Sequence, residues 1–284
     1  MKSIVRSAFM AMVTLGLGVG TTAPAMAAPD SPSLVICYTT GSVNVREAKK
    51  ATESMLRVLE TIGKWSEGTF TSHFVTGVKA CERVFNNEKP HFIIPSLGFY
   101  LQHGGRDRLV PLAQPRVKGA STDTWRVMVR KGTHDSLDSL KGGKLGGTLV
   151  SEPLFLEKVV FRGAVKPEEH FKLRHSKRAL RPLRDLAAGR LDAVLVNDQQ
   201  FQALGSLPFG KDLEAVFTSK PLPLPGVFAD TTRSSKRDRG RFGKAMVAFC
   251  GHPEGKSFCE LFGIDGFEPV DPSAFSEVRA LWNK

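Results

Sequence analysis

The chain has 284 residues, of which 41% are hydrophobic and 24% are charged, with 40 Lys and Arg against 28 Asp and Glu. This composition is typical of a globular protein and excludes collagen-like, disordered and small disulfide-scaffold chains. The length is sufficient for one or two domains that each bury a sizeable core.

The first 27 residues have the three parts of a secretory signal peptide. Lys2 and Arg6 are a positive region, Phe9–Val19 is an apolar region, and Ala25-Met26-Ala27 is a small-residue cleavage site. A membrane anchor is the alternative, but the apolar region is shorter than the roughly 20 residues that span a bilayer. We therefore expect a cleaved signal peptide over residues 1–27 and a periplasmic mature protein.

The mature chain is basic. Removing two cations from a formal net charge of +12 leaves +10. A basic surface suits nucleic acid, a membrane or acidic small molecules, and export argues against nucleic acid. The densest basic run covers residues 233–241 and contains no aromatic residue on which a base could stack. Such a run is more typical of a solvated helix start than of a nucleic-acid-binding surface. We expect no nucleic-acid partner.

Four cysteines follow the cleavage site. Cys250 and Cys259 flank Gly251-His252-Pro253, which indicates a helix stop and restart, and we expect a disulfide between them. Its short loop corresponds to about 2–3 kcal/mol in the chain-entropy model. Cys37 and Cys81 are either a second disulfide or two buried thiols. No cysteine or histidine spacing resembles a metal site, and the sequence predicts no metal and no cofactor.

The mature chain alternates strands and helices from its start. Apolar runs, period-two alternation and residues at helical spacing locate these elements. We predict strands over residues 34–38, 69–75 and 91–94, with helices over residues 44–62 and 77–87. Asn44 is the expected cap of the first helix, with Glu47 three residues later. The β-α-β-α-β order predicts a parallel sheet with helices on its faces.

The same alternation restarts in the second half. We predict strands over residues 108–112, 124–129, 144–149, 171–174, 191–196, 215–217 and 227–229, with helices over residues 153–161 and 178–188. The proline-rich segment 220–226 is expected to be extended and to cross between two lobes.

Three segments together resemble one protein family. They are Leu137–Gly147, Leu186–Val194 and Pro221–Phe228, which read LDSLKGGKLGG, LAAGRLDAV and PLPLPGVF. Their order and spacing across residues 33–265 resemble the phosphonate-binding-like periplasmic substrate-binding proteins of ABC transporters. The resemblance implies the type II periplasmic binding protein fold: an α/β protein of two lobes, each a mixed or parallel sheet flanked by helices, joined by two crossing strands.

The resemblance also implies a division of the chain into lobes. Residues 28–122 with 223–284 are expected to form the first lobe, and residues 123–222 the second. We expect the lobes to close on the solute about crossings near residues 115–125 and 220–226.

Polar residues follow most of the predicted strands. In open parallel sheets, ligands bind at the carboxyl ends of the strands, where helix N-termini present free N–H groups. We expect ligand contacts from Thr39, Thr40, Ser42, Thr76, Ser96, Ser151, Glu152, His175, Ser176, Asn197 and Asp198. The alternative is that these residues only cap helices. Tyr100, one helical turn after Ser96, is expected to lean into the cleft, and the family has a histidine at a place comparable to His175.

One turn departs from the family pattern. The phosphonate binders hold their ligand with a Ser/Thr-rich turn, whereas this chain has Ser151-Glu152-Pro153. Pro153 has no N–H, and an inward Glu152 would repel an oxyanion. We therefore expect weak binding of doubly charged phosphonate and preference for a singly charged or zwitterionic solute. Glu152→Ser is expected to improve oxyanion affinity by roughly 1–3 kcal/mol after screening.

The leading functional hypothesis is a monomeric periplasmic receptor. It would capture a small polar solute, anionic or zwitterionic, in an interlobe cleft and deliver this small molecule to an ABC permease in the inner membrane. A sensor that reports to a membrane receptor kinase is one alternative, and an enzyme on the same fold is another. The sequence contains no nucleophile elbow, dinucleotide fingerprint, phosphate loop or zinc-protease motif, so no enzymatic activity is expected.

Overall fold

The computed structural model describes residues 31–39, 43–105, 108–271 and 273–284. The signal peptide and two candidate ligand contacts, Thr40 and Ser42, lie outside these residues.

Thirteen strands are present in the described residues. They are β1 (Ser33–Tyr38), β2 (Thr71–Thr76), β3 (Phe92–Ile94), β4 (Leu109–Arg116), β5 (Thr122–Asp123), β6 (Arg126–Arg130), β7 (Lys144–Gly147), β8 (Lys172–His175), β9 (Ala193–Val196), β10 (Leu213–Thr218), β11 (Leu222–Pro223), β12 (Val227–Asp230) and β13 (Gly266–Pro269).

Ten α-helices connect or flank these strands in the same part of the chain. They are α1 (Val45–Gly63), α2 (Val78–Glu88), α3 (Leu97–His103), α4 (Pro153–Phe155), α5 (Pro167–His170), α6 (Leu180–Ala187), α7 (Asp198–Ala203), α8 (Lys236–Phe249), α9 (Pro253–Phe262) and α10 (Ser276–Trp282).

The first predicted helix is confirmed together with its cap. The Asn44 side chain accepts hydrogen bonds from the N–H groups of Arg46 and Glu47, at 3.1 and 3.4 Å, which satisfies two of the donors that a helix start leaves free. The helix buries Met55 and Leu59 on one face. The helical spacing of apolar residues predicted this helix correctly because the apolar side chains on one face of it pack into the core.

The first large sheet has six strands in the order β13-β4-β12-β3-β1-β2. β1 pairs in parallel with both β2 and β3, as the β-α-β-α-β pattern predicted, whereas β12 and β13 are antiparallel to their neighbours. β12 follows the segment 220–226, so the chain returns to this sheet after building the second one. The carboxyl ends of β1, β2 and β3 share one edge.

The second sheet has five strands in the order β10-β6-β9-β7-β8. β7 is parallel to β8 and β9, while β6 and β10 are antiparallel. A third, two-stranded sheet joins the two passages of the chain: β5 pairs with β11, with Leu222 opposite Asp123 and Pro223 opposite Thr122. The fold is an α/β fold of mixed sheets flanked by helices.

The helix predicted over residues 153–161 is present but changes type. Pro153–Phe155 is α-helical and Leu156–Val160 continues as a π-helix, in which the Phe161 N–H bonds the Leu156 carbonyl at 2.7 Å. Single π-turns often occur next to functional sites. The π-helix starts at Leu156, four residues after Glu152, and Leu156 and the preceding Phe155 are both buried.

Both pairs of cysteines are joined. The expected Cys250–Cys259 disulfide connects the end of α8 to α9. The pair that the sequence left open, Cys37 and Cys81, forms the second disulfide, between β1 and α2. This second bridge holds the end of β1 against the helix that follows β2.

In the part of the chain that the structure describes, no helix has both the length and the apolar character needed to cross a membrane.

Candidate functional site

A pocket of about 240 Å³ lies where the carboxyl ends of strands from both large sheets meet the β5–β11 pair. The first sheet contributes the ends of β1 and β3, including Tyr38, Thr39 and Ser96. The second contributes Glu152 and Asn197. We call this cavity the inner pocket. It is smaller than the roughly 300–1,000 Å³ of drug-sized sites, which suits a small solute.

Apolar side chains form much of the wall of the inner pocket. Trp125, Phe155 and Leu222 line it, and each is at most 6% exposed. The polar groups on the wall are set among these buried apolar side chains. Two of them are carboxyl groups, of Asp123 and Glu152, and no lysine or arginine occurs among the described lining residues.

Ser96 and Glu152 connect the two sides of the pocket. The Ser96 hydroxyl caps α3 by accepting the Phe99 N–H at 3.1 Å, and it donates to Glu152 Oε1 at 2.8 Å. Glu152 Oε2 is buried and has no hydrogen-bond partner among the described residues. A buried polar atom without a partner is costly, and the described residues supply no donor to this oxygen.

Burial changes the acidity of Glu152. Its desolvation raises the pKa of this carboxyl from 4.5 to about 7, and the Ser96 hydrogen bond and the nearby Phe99 backbone N–H act in the opposite direction. Glu82 contributes a further small rise through charge repulsion. A carboxyl group poised in this range changes its charge when a cationic or anionic ligand arrives.

Gly98 permits the close approach of the two sides. A Cβ atom at this position would lie 2.5 Å from Glu152 Oε1 and 3.0 Å from the Phe155 Cβ. Both neighbours belong to the second-sheet side of the pocket, whereas Gly98 belongs to α3. The absence of a side chain at Gly98 is thus what allows the Ser96–Glu152 hydrogen bond.

The second carboxyl group belongs to a hydrogen-bonded corner. The Asp198 N–H donates to Asp123 Oδ1 at 2.9 Å, and the Thr124 N–H donates to Asp198 Oδ2 at 2.9 Å. Arg126 also pairs with Asp198 Oδ1 at 2.6 Å. Burial raises the pKa of Asp123, while these backbone hydrogen bonds lower it in part. The corner connects the start of α7 to the β5 crossing.

Two more open chambers flank the inner pocket. The first, of about 950 Å³, shares Tyr38, Asn197 and Gln199 with it and is otherwise lined largely by α6. We call it the arginine chamber. The second, of about 580 Å³, shares Glu152 and Phe155 with the inner pocket and extends along α2. We call it the side chamber.

The structure brings part of the predicted site together. Thr39, Ser96, Glu152 and Asn197 line the inner pocket. Asn197 also caps α7, with its side chain accepting the Gln200 N–H at 3.0 Å, so it both caps a helix and lines the pocket.

The remaining candidates lie elsewhere. Thr76, Ser151 and His175 line the side chamber. Ser176 lines a groove on the second sheet's edge, where its hydroxyl bonds the Arg178 backbone. Asp198 is engaged by Arg126 and Thr124, as described above. Their roles in ligand binding stay predictions.

Tyr100 does not lean into the inner pocket as expected. Its ring is 1% exposed and packs between Phe228 and Phe275, and its hydroxyl accepts a hydrogen bond from Arg279 at 2.6 Å. The reason is that the face of α3 that carries Tyr100 packs towards β12 and α10. The opposite side of α3, with Ser96 and Gly98, faces Glu152.

Sequence reasoning missed several wall residues. Asp123, Trp125 and Gln199 line the inner pocket, but the first two sit at a crossing strand and carry no strand-to-helix signal. Gln199 belongs to the predicted strand-to-helix turn over residues 197–199, but it was not among the expected ligand contacts. Among the described residues no group of three or more His, Cys, Asp and Glu side chains is placed to hold a metal ion.

Comparison with known families identifies the chain. Residues 41–275 match the sequence profile of a family described as the phosphonate periplasmic substrate-binding protein of ABC transporters. The chain belongs to this family. Its members are transport proteins and not a class of enzymes, and they act outside the cytoplasm with a small-molecule ligand and an ABC permease as partners. No curated protein sequence matches the chain significantly.

Solved structures share the fold at low sequence identity. A Xanthomonas citri protein bound to ATP has a TM-score of 0.69 and 13% identity, covering 89% of this chain and 97% of the other. A binding-protein component of an ABC phosphonate transporter from Pseudomonas aeruginosa has a TM-score of 0.66 and 15% identity, over 89% and 86%. PhnD1 from Prochlorococcus marinus with methylphosphonate has a TM-score of 0.62 and 13% identity, over 89% and 97%. The fold is the type II periplasmic binding protein fold.

Proposed function

We propose that this phosphonate-binding family member captures a small zwitterionic solute, whose ammonium or other donor group binds Glu152 in the inner pocket, for delivery to an ABC permease. The unpartnered, buried Oε2 atom of Glu152 carries the proposal. A dianionic phosphonate has no proton to donate to this atom, whereas an ammonium group has three.

The charge of the wall supports the same ligand class. Asp123 and Glu152 are the ionisable acids of the inner pocket, and no described lysine or arginine on its wall balances them. When both are ionised, two unbalanced carboxyl groups repel an anion at short range and attract a cation. The aromatic rings of Trp125 and Tyr38 on the same wall favour a cationic group as well.

Two phosphonates that differ in one amino group test the proposal. At about pH 8, where Glu152 is largely ionised, aminomethylphosphonate should bind about tenfold or more tightly than methylphosphonate, because a hydrogen bond to a charged group contributes about 1.5–3 kcal/mol. Isothermal titration calorimetry measures both affinities. Glu152→Gln is the matched variant and should remove the preference. Equal or tighter binding of methylphosphonate by the unmodified protein would contradict the proposal.

We also propose that the inner pocket opens and closes about the β5–β11 pair. The Ser96–Glu152 hydrogen bond joins the two sides, and Gly98 leaves room for it. Gly98→Ala should hold the sides apart and increase the radius of gyration measured by small-angle scattering. Gly240→Ala, in the exposed part of α8 with open space around the new methyl group, is the control. An unchanged radius of gyration in Gly98→Ala would argue against this movement.

A further inference from the structure

The arginine chamber has an excess of positive charge that the inner pocket lacks. Arg178, Arg181, Arg184 and Arg190 line it, and Asp185 is the one carboxylate among its described lining residues. The side chamber is different, because its cations are accompanied by Glu82 and Glu152. Of the two chambers that flank the inner pocket, the arginine chamber therefore has the larger excess of cations.

Asp185 neutralises only part of this charge. It pairs with Arg190 at 2.6 Å and lies 3.8 Å from Arg181. No described carboxylate lies within ion-pair distance of Arg178 or Arg184. Both side chains are exposed, so their guanidinium donors are free to bind a ligand. Guanidinium groups match phosphate and phosphonate oxygens with two parallel hydrogen bonds.

The backbone positions both arginines firmly. The Ser176 hydroxyl accepts the Arg178 N–H at 3.1 Å and donates to the Arg178 carbonyl at 3.0 Å. Arg184 projects from α6, which is anchored by the buried side chains of Leu183 and Leu186. Both arginines therefore extend from backbone that local hydrogen bonds or buried neighbours hold in place.

The arginine chamber and the inner pocket are adjacent. Tyr38, Asn197 and Gln199 belong to the walls of both. A solute bound across this shared wall would have the acidic inner pocket at one end and the arginine chamber at the other. The acidic inner pocket and the basic arginine chamber thus match the cationic and the anionic groups of a zwitterion.

We propose that Arg178 and Arg184 form the subsite for the anionic group of the solute, a phosphate or phosphonate, while its donor group lies at Glu152. The position of the donor group rests on the proposed function. The anion subsite itself rests on the charge and geometry of the arginine chamber and is testable separately.

Inorganic pyrophosphate tests the anion subsite alone. At about 150 mM salt, where long-range charge effects are largely screened, it should raise the melting temperature of the unmodified protein by mass action. The double variant Arg178→Gln/Arg184→Gln should lose most of this increase. Arg237→Gln removes an exposed cation on α8 and should keep it. Equal increases in the double variant and in Arg237→Gln, or no increase in any protein, would overturn the anion subsite.

Aminomethylphosphonate separates this inference from the proposed function. The double arginine variant should bind it about tenfold more weakly, and Arg237→Gln should bind it as the unmodified protein does. If the arginine variant loses affinity while Glu152→Gln does not, the anion subsite is right and the donor position is wrong. If only Glu152→Gln loses affinity, the donor position is right and the anion subsite is wrong.

Discussion

Replacing Cys37 and Cys81 together by alanine should lower the free energy of unfolding by about 4 kcal/mol, according to the chain-entropy model for a closed loop. The two cysteines are 44 residues apart in sequence, so their disulfide restricts a long segment of the unfolded chain. Urea unfolding of the oxidised protein and of the variant, followed by fluorescence or circular dichroism, measures the difference.

The other disulfide is the matched control. Cys250 and Cys259 are 9 residues apart, and the same model assigns about 2.5 kcal/mol to their loop. The Cys250→Ala/Cys259→Ala variant should therefore be the more stable of the two. If the short-loop variant loses as much stability as the long-loop one, loop entropy is not what these disulfides contribute.

The Cys37–Cys81 disulfide also has a consequence for the site. Cys37 lines the inner pocket beside Tyr38 and Thr39, and the disulfide connects it to α2. The long-loop variant should therefore bind aminomethylphosphonate more weakly than the short-loop variant does, because the end of β1 is less firmly held. Both affinities are measured below the midpoint of unfolding.

Glu152 should make the unmodified protein less stable as the pH rises. Its folded pKa is raised from 4.5 to about 7 by burial, so between these values the folded state keeps a proton that the unfolded state releases. The stabilisation is fully present below about pH 4.5 and is lost as the pH rises through about 7. For a shift of this size the loss amounts to about 3 kcal/mol.

Glu152→Gln isolates this contribution from the other titrating groups. Glutamine keeps an oxygen that accepts from Ser96 and has no charge to desolvate. The difference in unfolding free energy between the variant and the unmodified protein should therefore shift in favour of the variant by about 3 kcal/mol between about pH 4.5 and 8. Denaturant titrations at several pH values measure it. A constant difference would mean that the pKa of Glu152 in the folded protein is close to its unfolded value of 4.5.

Local patterns in the sequence predicted most of the elements around the site. Period-two and helical spacing depend on neighbouring residues only, so β1, α1, β2, α2 and β3 were predictable, with their parallel order. The order of three short segments was enough to identify the phosphonate-binding family. The same reasoning placed polar residues at strand ends, and four of them line the inner pocket.

Contacts between distant segments depended on the tertiary structure. Tyr100 lies one turn from Ser96, but α3 packs that face on Phe228 and Phe275, and no local pattern states which face of a short helix is covered. The bond between Ser96 and Glu152 joins residues 56 positions apart and requires Gly98 to admit the carboxylate.

The sequence by itself thus determined the elements, their parallel pairing in the first sheet and the family, because these depend on periodicity and on the order of local motifs. Only the tertiary structure decided that Cys37 pairs with Cys81, that Glu152 is buried without a partner for Oε2, and that Arg178 and Arg184 lie beside the inner pocket. The physical reason is that the burial and the charge environment of a side chain depend on how the two sheets pack together. Neighbouring residues along the chain do not specify this packing.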